Sequence, residues 1–311
     1  GEAGNQLLIY QDYPYNHDGW EMCAYHEDKV YPLTAWDRVE TVDEGARVGV
    51  RIYRTHMHST IAQTVWFYAD LPRVDFETHV DWHEKHQFLK AAFPVDINTD
   101  HATYDIQYGS VERPTHSNTS WDAMKFEVCG HKYADLSETG YGVSLLNDCK
   151  YGHNIHNSVI KLTLIKCATY PNPVADQGEH EFVYSLYPHA EDVYHADTVE
   201  MAYDLNMPLL AYPGKDGDGT LPQSYSMVSC DSRHALVEVV KESEDGNDLI
   251  VRLYETKNRR GCVRLDFGFN VREVSLCNLM EEKEKKLCLH ENSVNLTVKP
   301  FEIVTLRIVK G

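Results

Sequence analysis

The sequence predicts an all-β protein built as two antiparallel sandwiches, a large one followed by a small one. Three observations carry this. Apolar and polar residues alternate with a period of two along much of the chain, as half-buried strands require. Val, Ile, Thr and Tyr are abundant, while Gly, Pro, Asn and Asp recur at roughly strand-length intervals. No segment keeps an amphipathic helical period over several turns. Many short strands separated by turn residues read as a sandwich or a related antiparallel architecture.

In chain order, residues 46–54 alternate strictly. Residues 64–69 and 74–82 repeat the pattern after breaks at Ser59-Thr60 and Asp70-Leu-Pro72. Residues 141–146 form an apolar strand, and 159–165, 236–240, 249–254 and 303–309 continue the series. Only 20–29 and 280–286 are weak, short helix candidates. A boundary near 226–231 divides the chain into domains 1–228 and 229–311, with no flexible linker between them. The second domain carries its own hairpin signals at 244–248 and 258–261.

A chain of 311 residues can bury a substantial core. With 48 acidic against 29 basic residues the net charge is −19, and no basic patch is present. Nucleic acid and anionic membranes are therefore not expected partners, since both need clustered Lys and Arg. No apolar run is long enough to span a bilayer, and no signal-peptide core opens the sequence. The eight cysteines form no C-x-x-C pair, so reduced thiols in a cytoplasmic protein are expected rather than a structural zinc site. Sequons at Asn118 and Asn295 carry no weight without a secretory signal. The first residue is Gly1 rather than Met, so a processed product, a tagged chain or a fragment is expected.

Four groupings could carry chemistry. His79-x3-His83-x2-His86 resembles a metal cluster, but on a strand His79 and His83 stand ~13 Å apart. Zinc needs its ligands about 2 Å from one point, so solvent-facing histidines are the expectation. His56-x-His58 shares a strand face but lacks a third ligand. Asn147-Asp-Cys-Lys-Tyr-Gly-His153 packs amide, carboxylate, ammonium, phenol and imidazole into seven residues around a glycine. Either it is functional through Asn147, Asp148, Lys150, Tyr151 and His153, or it is a polar turn in which Asn147 or Asp148 caps its own backbone. The segment 171–181 reads as a long loop with two prolines, gathering Asp176, Gln177, Glu179, His180 and Glu181. Its carboxylates give no sign of the ~5–9 Å separation that glycoside hydrolysis requires, so a recognition loop or a lid is the reading. The 20 Tyr, 9 Phe and 5 Trp suit sugar rings and strands equally.

These two segments and their surroundings resemble the β region of glycoside hydrolase family 38, the α-mannosidases, in its cytosolic branch. The resemblance runs through Asp12-x-Pro-x-Asn-His-Asp-Gly-Trp-Glu21, Phe93-Pro-Val-Asp-Ile97, Gly109-Ser-Val-Glu-Arg-Pro-Thr115 and Ala134-Asp-Leu-Ser-Glu138. It continues through Gly140–His153, Tyr170–Phe182 and, downstream, Val298-Lys-Pro-Phe-Glu-Ile-Val-Thr-Leu306.

The resemblance implies a large antiparallel supersandwich of the galactose-mutarotase type followed by a small β-sandwich. It also implies a retaining, metal-dependent exo-α-mannosidase as the parent. There, an amino-terminal barrel holds zinc or a similar divalent ion, the nucleophile and the acid/base. No residue here matches those barrel motifs, so no catalytic residue, metal ligand or cofactor is expected in this chain. The missing catalytic domain is the expected partner, mannose-containing oligosaccharides are the substrates of the whole, and a homo-oligomer is compatible. Asn147–His153 and Asp176–Glu181 are then expected at the substrate pocket or the domain interface, with Asp176, Gln177, Glu179 and His180 as the leading candidates of the second segment. Alternatives are a stand-alone carbohydrate-binding module, or a mutarotase-like isomerase pairing His153 or His180 with Glu179.

Overall fold

The computed structural model describes residues 2–214, 219–220 and 222–311. The chain divides into two compact units. One runs from the start of the chain to Ile106 and takes in Val111–Pro208; the other comprises Gln107–Ser110 and Leu209–Gly311. The division falls ahead of the boundary expected at 228/229. Near the expected boundary the Tyr225 hydroxyl donates to the Gly268 carbonyl, within the second unit.

Strict alternation forms the strands because each can bury one row of side chains and solvate the other. In the first unit a nine-stranded sheet runs in spatial order Arg38–Asp43, Arg47–His56, Ser59–Tyr68, Val74–Trp82, Gly178–His189, Tyr141–Asn147, Tyr133–Glu138, His101–Ile106 and Gly109–Pro114. A six-stranded sheet runs Val128–Cys129, Gly152–His156, Val159–Lys166, Gln87–Pro94, Gln6–Gln11 and Val30–Pro32. One apolar cluster draws on both sheets: Ile61, Phe76, Val80 and Leu145 from the first, Leu7, Leu89, Phe93 and Leu162 from the second. This is the large sandwich, each buried aliphatic side chain contributing about 1.5–3 kcal/mol.

The second unit is a smaller sandwich. Its four-stranded sheet is Val228–Cys230, Gly261–Phe267, Ser293–Val298 and Leu289–His290. Its five-stranded sheet is Ala235–Glu242, Leu249–Glu255, Ile303–Lys310, Val271–Cys277 and Lys283–Lys286. Val251, Leu253, Val263, Leu265, Val294 and Leu306 fill the space between them.

The all-β expectation holds, with local corrections. Residues 57–58, not Ser59-Thr60, make the first break; Met57 takes a φ of 51°, and buried Ser59 already opens the next strand. The signal at 258–261 marks a crossover between the two sheets of the second unit rather than a hairpin, because the strands on either side lie in different sheets. The helix candidate at 20–29 shrinks to one 3-10 turn, Ala24–Asp28, and 283–286 is an exposed strand. The helix Thr198–Asn206 was not anticipated. It lies on the outer side of the nine-stranded sheet, where Thr198 Oγ1 meets Ser144 Oγ at 2.8 Å and Asn206 Nδ2 donates to the Asn147 carbonyl at 2.9 Å. No helix of the described residues is long and apolar enough to cross a membrane.

Candidate functional site

Alternation and register together build a polar surface on the outer side of the nine-stranded sheet. Tyr53 lies opposite Ala62, Ala62 opposite His79, and His79 opposite Glu181, a row across four strands. The parallel row is Arg51, Thr64, Glu77 and Val183. At about 4.8 Å between neighbouring strands, each row spans roughly 14 Å. The resulting cleft has a volume of about 580 Å³ and is lined by Arg51, Tyr53, Thr64, His79, Asp148 and Glu181.

Several of these side chains are held in place. Arg51 Nε donates to Thr64 Oγ1 at 2.9 Å, and the Tyr53 hydroxyl donates to Glu40 at 2.8 Å. Beside them Trp66 Nε1 donates to Glu77 at 2.7 Å, and the Arg47 guanidinium covers the Trp66 ring at 3.9 Å. Carboxylates, a guanidinium, an imidazole and aromatic edges on one rigid sheet suit the alternating donors and acceptors of a hydroxylated ligand.

The segment after strand Tyr141–Asn147 enters this cleft at one end. Asn147 is buried and closes the turn itself: its Nδ2 donates to the His131 carbonyl at 2.7 Å and its Oδ1 accepts from the Lys150 amide at 2.7 Å. Asp148 Oδ2 accepts from the Val183 amide at 2.9 Å, while its Oδ1 has no hydrogen-bond partner among the described residues. Lys150 Nζ stands 4.5 Å over the Phe182 ring, and half-exposed Tyr151 packs against His131. His153 does not share this position. It belongs to the six-stranded sheet, is fully buried against Tyr104, and burial pushes its imidazole down to about 4. Asn147 and His153 therefore act inside the fold, while Asp148, Lys150 and Tyr151 remain at the surface of the turn.

The second segment is shorter than a loop over 171–181, because the strand starts at Gly178 and already contains Glu179, His180 and Glu181. Hydrogen bonds to the neighbouring strand Val74–Trp82 outweigh the loop-like composition. Asp176 takes a φ of 57° and its carbonyl accepts from His180 Nε2 at 2.8 Å; Gln177 Nε2 reaches the Glu84 carbonyl at 3.5 Å. Glu179 is exposed opposite Asp81. Glu179 and His180 are consecutive in a strand and point to opposite faces, and His153 is sealed inside, so the His–Glu pairs named for an isomerase do not converge. The two segments thus flank one strand, separated by the five steps from Gly178 to Val183, roughly 17 Å.

A third motif joins them. Buried Asp18 accepts from the Thr169 amide at 2.6 Å and the Tyr170 amide at 2.7 Å. Burial would raise its carboxyl, but these hydrogen bonds hold it below the usual range. At Gly19 a Cβ would lie 2.5 Å from the Tyr170 carbonyl oxygen, so the close approach requires glycine. This seats Trp20 and His17 against the Tyr170 ring at 5.9 and 5.1 Å. Among the described residues no group of three or more His, Cys, Asp or Glu is placed to hold a metal ion. His83 pairs with Asp81 at 2.8 Å, and His86 stacks on Tyr13.

The sheet residues Arg51, Tyr53 and Glu77 escaped sequence reasoning as a site, and His79 entered it only as a metal-ligand candidate set aside on strand geometry. Alternation places Glu77 and His79 on one face, but their meeting with Glu181 depends on pairing between distant strands.

Comparison with known proteins agrees across the chain. Residues 1–174 match the model of the glycosyl hydrolases family 38 C-terminal domain, and residues 234–306 match that of the family's C-terminal beta sandwich domain. Alpha-mannosidase 2C1 of Homo sapiens is 37% identical over 319 residues, spanning 99% of this chain and 30% of that protein. An alpha-mannosidase of Saccharomyces cerevisiae is 31% identical over 337 residues, spanning 98% of this chain and 31% of its own length. The crystal structure of an alpha-mannosidase from Enterococcus faecalis V583 superimposes with a TM-score of 0.81 at 17% identity, over 98% of this chain and 38% of that one, and so shares the fold. The chain spans about a third of the length of the curated relatives it matches. Over nearly its whole length, therefore, this chain belongs to glycoside hydrolase family 38, as the C-terminal β region of that family.

Proposed function

We propose that this chain is the non-catalytic C-terminal region of a retaining, metal-dependent, cytoplasmic α-mannosidase that removes terminal α-mannose from oligosaccharides. In this reading, zinc or a similar divalent ion and the catalytic carboxylates are supplied by an amino-terminal catalytic domain. The β region supports that domain and lends surface to its substrate pocket.

One observation carries the assignment of the surface. The segments Asp148–Tyr151 and Asp176–His180 flank the same strand and bring half-buried Asp148 and Lys150 and exposed Asp176 and Glu179 beside a polar cleft. Asn147 and His153 contribute by shaping the turn from within. The direct test is an aryl α-mannoside assay of the 311-residue chain with added zinc or cobalt. No turnover is expected; sustained turnover would refute the non-catalytic role. In the polypeptide that also carries the catalytic domain, Lys150→Ala and Asp176→Ala should raise KM or lower kcat several-fold with melting unchanged. Unaltered kinetics in both would remove the two segments from the pocket.

A further inference from the structure

The nine-stranded sheet outruns the core it helps to enclose, and one end of its core-facing side lies open. Alternation along the strands Arg38–Asp43, Arg47–His56 and Ser59–Tyr68 puts Val39, Val48, Val50, Ile52, Arg54 and Phe67 on that side. The hydrophobic core reaches Ile61 and, at its margin, Val65. Beyond it Val39, Val48 and Phe67 are 47%, 50% and 47% exposed. Register makes the patch continuous, with Val39 opposite Ile52 and Val48 opposite Phe67. A groove of about 360 Å³ runs past Thr41, Val48, Val50 and Phe67. Single exposed apolar side chains are ordinary, but a contiguous patch on adjacent strands marks a contact surface.

Two observations say what covers it. The first is charge. Half-buried Arg54 shares this side of the sheet, and its Nε and Nη1 are enclosed without a hydrogen-bond partner among the described residues; Nη2 is the nitrogen left open. Burial lowers its pKa and only the Tyr184 hydroxyl works against this, so no carboxylate of the described residues stands near it. A guanidinium drawn out of water without a counter-charge is costly, and a carboxylate set against it relieves that cost. The second is chain entry. Asn5 Nδ2 donates to Gln63 Oε1 at 2.6 Å, and Asn5 Oδ1 accepts from the Tyr184 hydroxyl at 2.6 Å. Gln63 lies directly opposite Ile52, so polypeptide preceding Asn5 enters beside the open face. This chain matches about a third of the length of its curated relatives, which leaves a longer polypeptide ample chain to place there.

We propose that this open end of the sheet is a docking face for the amino-terminal region of the same polypeptide, which lays apolar side chains over Val48, Val50 and Phe67 and brings a carboxylate to Arg54. The proposal rests on the reading of this chain as the C-terminal region of a larger α-mannosidase. It adds a second contact surface, on the opposite side of the sheet from the polar cleft.

The test uses the polypeptide that also carries the amino-terminal region. Val48→Cys and Phe67→Cys, made separately, place thiols on the open face, and their labelling by a maleimide is read by peptide mass. Each should label at least about tenfold more slowly in the native polypeptide than after unfolding in urea, at every protein concentration. Arg54→Glu in the Val48→Cys background should restore most of the lost rate, and Arg54→Lys should not, while buried Cys167 stays unlabelled and so reports an intact sandwich. Val48→Asp in the Phe67→Cys background should restore it too, without touching Arg54. Native labelling as fast as in urea would overturn the proposal, as would protection indifferent to both Arg54→Glu and Val48→Asp. Protection lost on dilution together with a halving of mass would assign the face to a second copy and overturn it equally. Aryl α-mannoside turnover by the same polypeptide tests the earlier reading by itself: turnover present with both thiols freely labelled overturns the docking face and leaves that reading standing.

Discussion

The first unit threads linked charged groups through its interior, whereas the second buries fewer: there Glu255 is fully buried and accepts from the Lys257 and Phe301 backbone amides at 2.8 and 2.9 Å. Asp75, Lys90, Asp105 and Asp135 are each no more than 4% exposed in the first unit. Lys90 Nζ lies 2.7 Å from Glu127. Asp135 accepts from Ser137, from Ser144 at 2.6 Å and from His189 Nε2 at 2.8 Å. At Gly142 an added Cβ would fall 2.1 Å from the His189 ring, so the sequence makes room for this contact. In the second unit Val251, Leu253, Leu265, Val274, Val294 and Leu306 are fully buried or nearly so. Its ion pairs sit further out, as between Arg307 and Asp248 at 2.6 Å or Lys286 and Glu273 at 2.9 Å. A buried ion pair rarely outdoes an apolar replacement in stability, so the linked buried charges of the first sandwich point to geometry. The polar groups of the first unit fix where neighbouring strands and the helix Thr198–Asn206 meet.

The largest test of that contrast is Asp135→Ala. It leaves two hydroxyls and the His189 imidazole without their shared acceptor, where Asp135, Ser144 and His189 are buried. We expect a loss of about 3–5 kcal/mol, read by urea unfolding. A loss below about 1 kcal/mol would show that the network is not structural and would erase the difference between the units.

Much of this architecture was legible in the sequence, and the failures have identifiable causes. The strand Val74–Trp82 matches the alternating run residue for residue, because one face is core and the other, from Glu77 to Asp81, is at least partly open to solvent. The start of the strand at Gly178 was hidden by Pro171, Pro173 and the polar residues that follow. Lys90 interrupts the apolar strand Gln87–Pro94, and its partner Glu127 lies 37 positions away, beyond any local pattern. Asn147 was read correctly in one of its two senses: the side chain does cap its own turn. The helix Thr198–Asn206 buries only Thr198, Val199 and Ala202, too few for a periodic stripe, and depends on the sheet beneath it. Of the candidate site, composition marked the two segments, but strand pairing alone brings His79 opposite Glu181.

Acid sensitivity gives a second, smaller test. Burial lowers His153 from an ordinary 6.5 to about 4. Above 6.5 both folded and unfolded chains hold it neutral. Between 6.5 and 4 the unfolded chain binds a proton that the folded one refuses, so stability falls as pH falls, by about 3 kcal/mol over the window. His153→Gln should flatten that slope, measured by denaturant unfolding at a series of pH values. His189 has the opposite sign. Burial alone would lower it, but Asp135 raises it overall, so its contribution is full below the ordinary value and fades as pH rises through the raised one. His234 of the second unit is lowered by burial and by Arg259, yet is only partly buried. His234→Gln should therefore flatten the acid slope less than His153→Gln; an equal or greater effect would reverse the contrast.

The smallest expected effect belongs to the second unit's surface. Arg307 reaches Asp245 at 2.5 Å and Asp248 at 2.6 Å, and Asp245 is half exposed. Water and salt screen such a cluster, and much of its attraction is offset by the cost of ordering the side chains. Arg307→Gln should lower the melting temperature slightly at low ionic strength, and the difference should close near ~1 M salt, where the screening length is only about 3 Å. The Asp135→Ala deficit should largely persist under the same conditions, since Asp135, Ser144 and His189 are buried. If both deficits vanished with salt, the interior network of the first unit would be electrostatically exposed; if both persisted, the outer pairs of the second would be as structural as the buried ones.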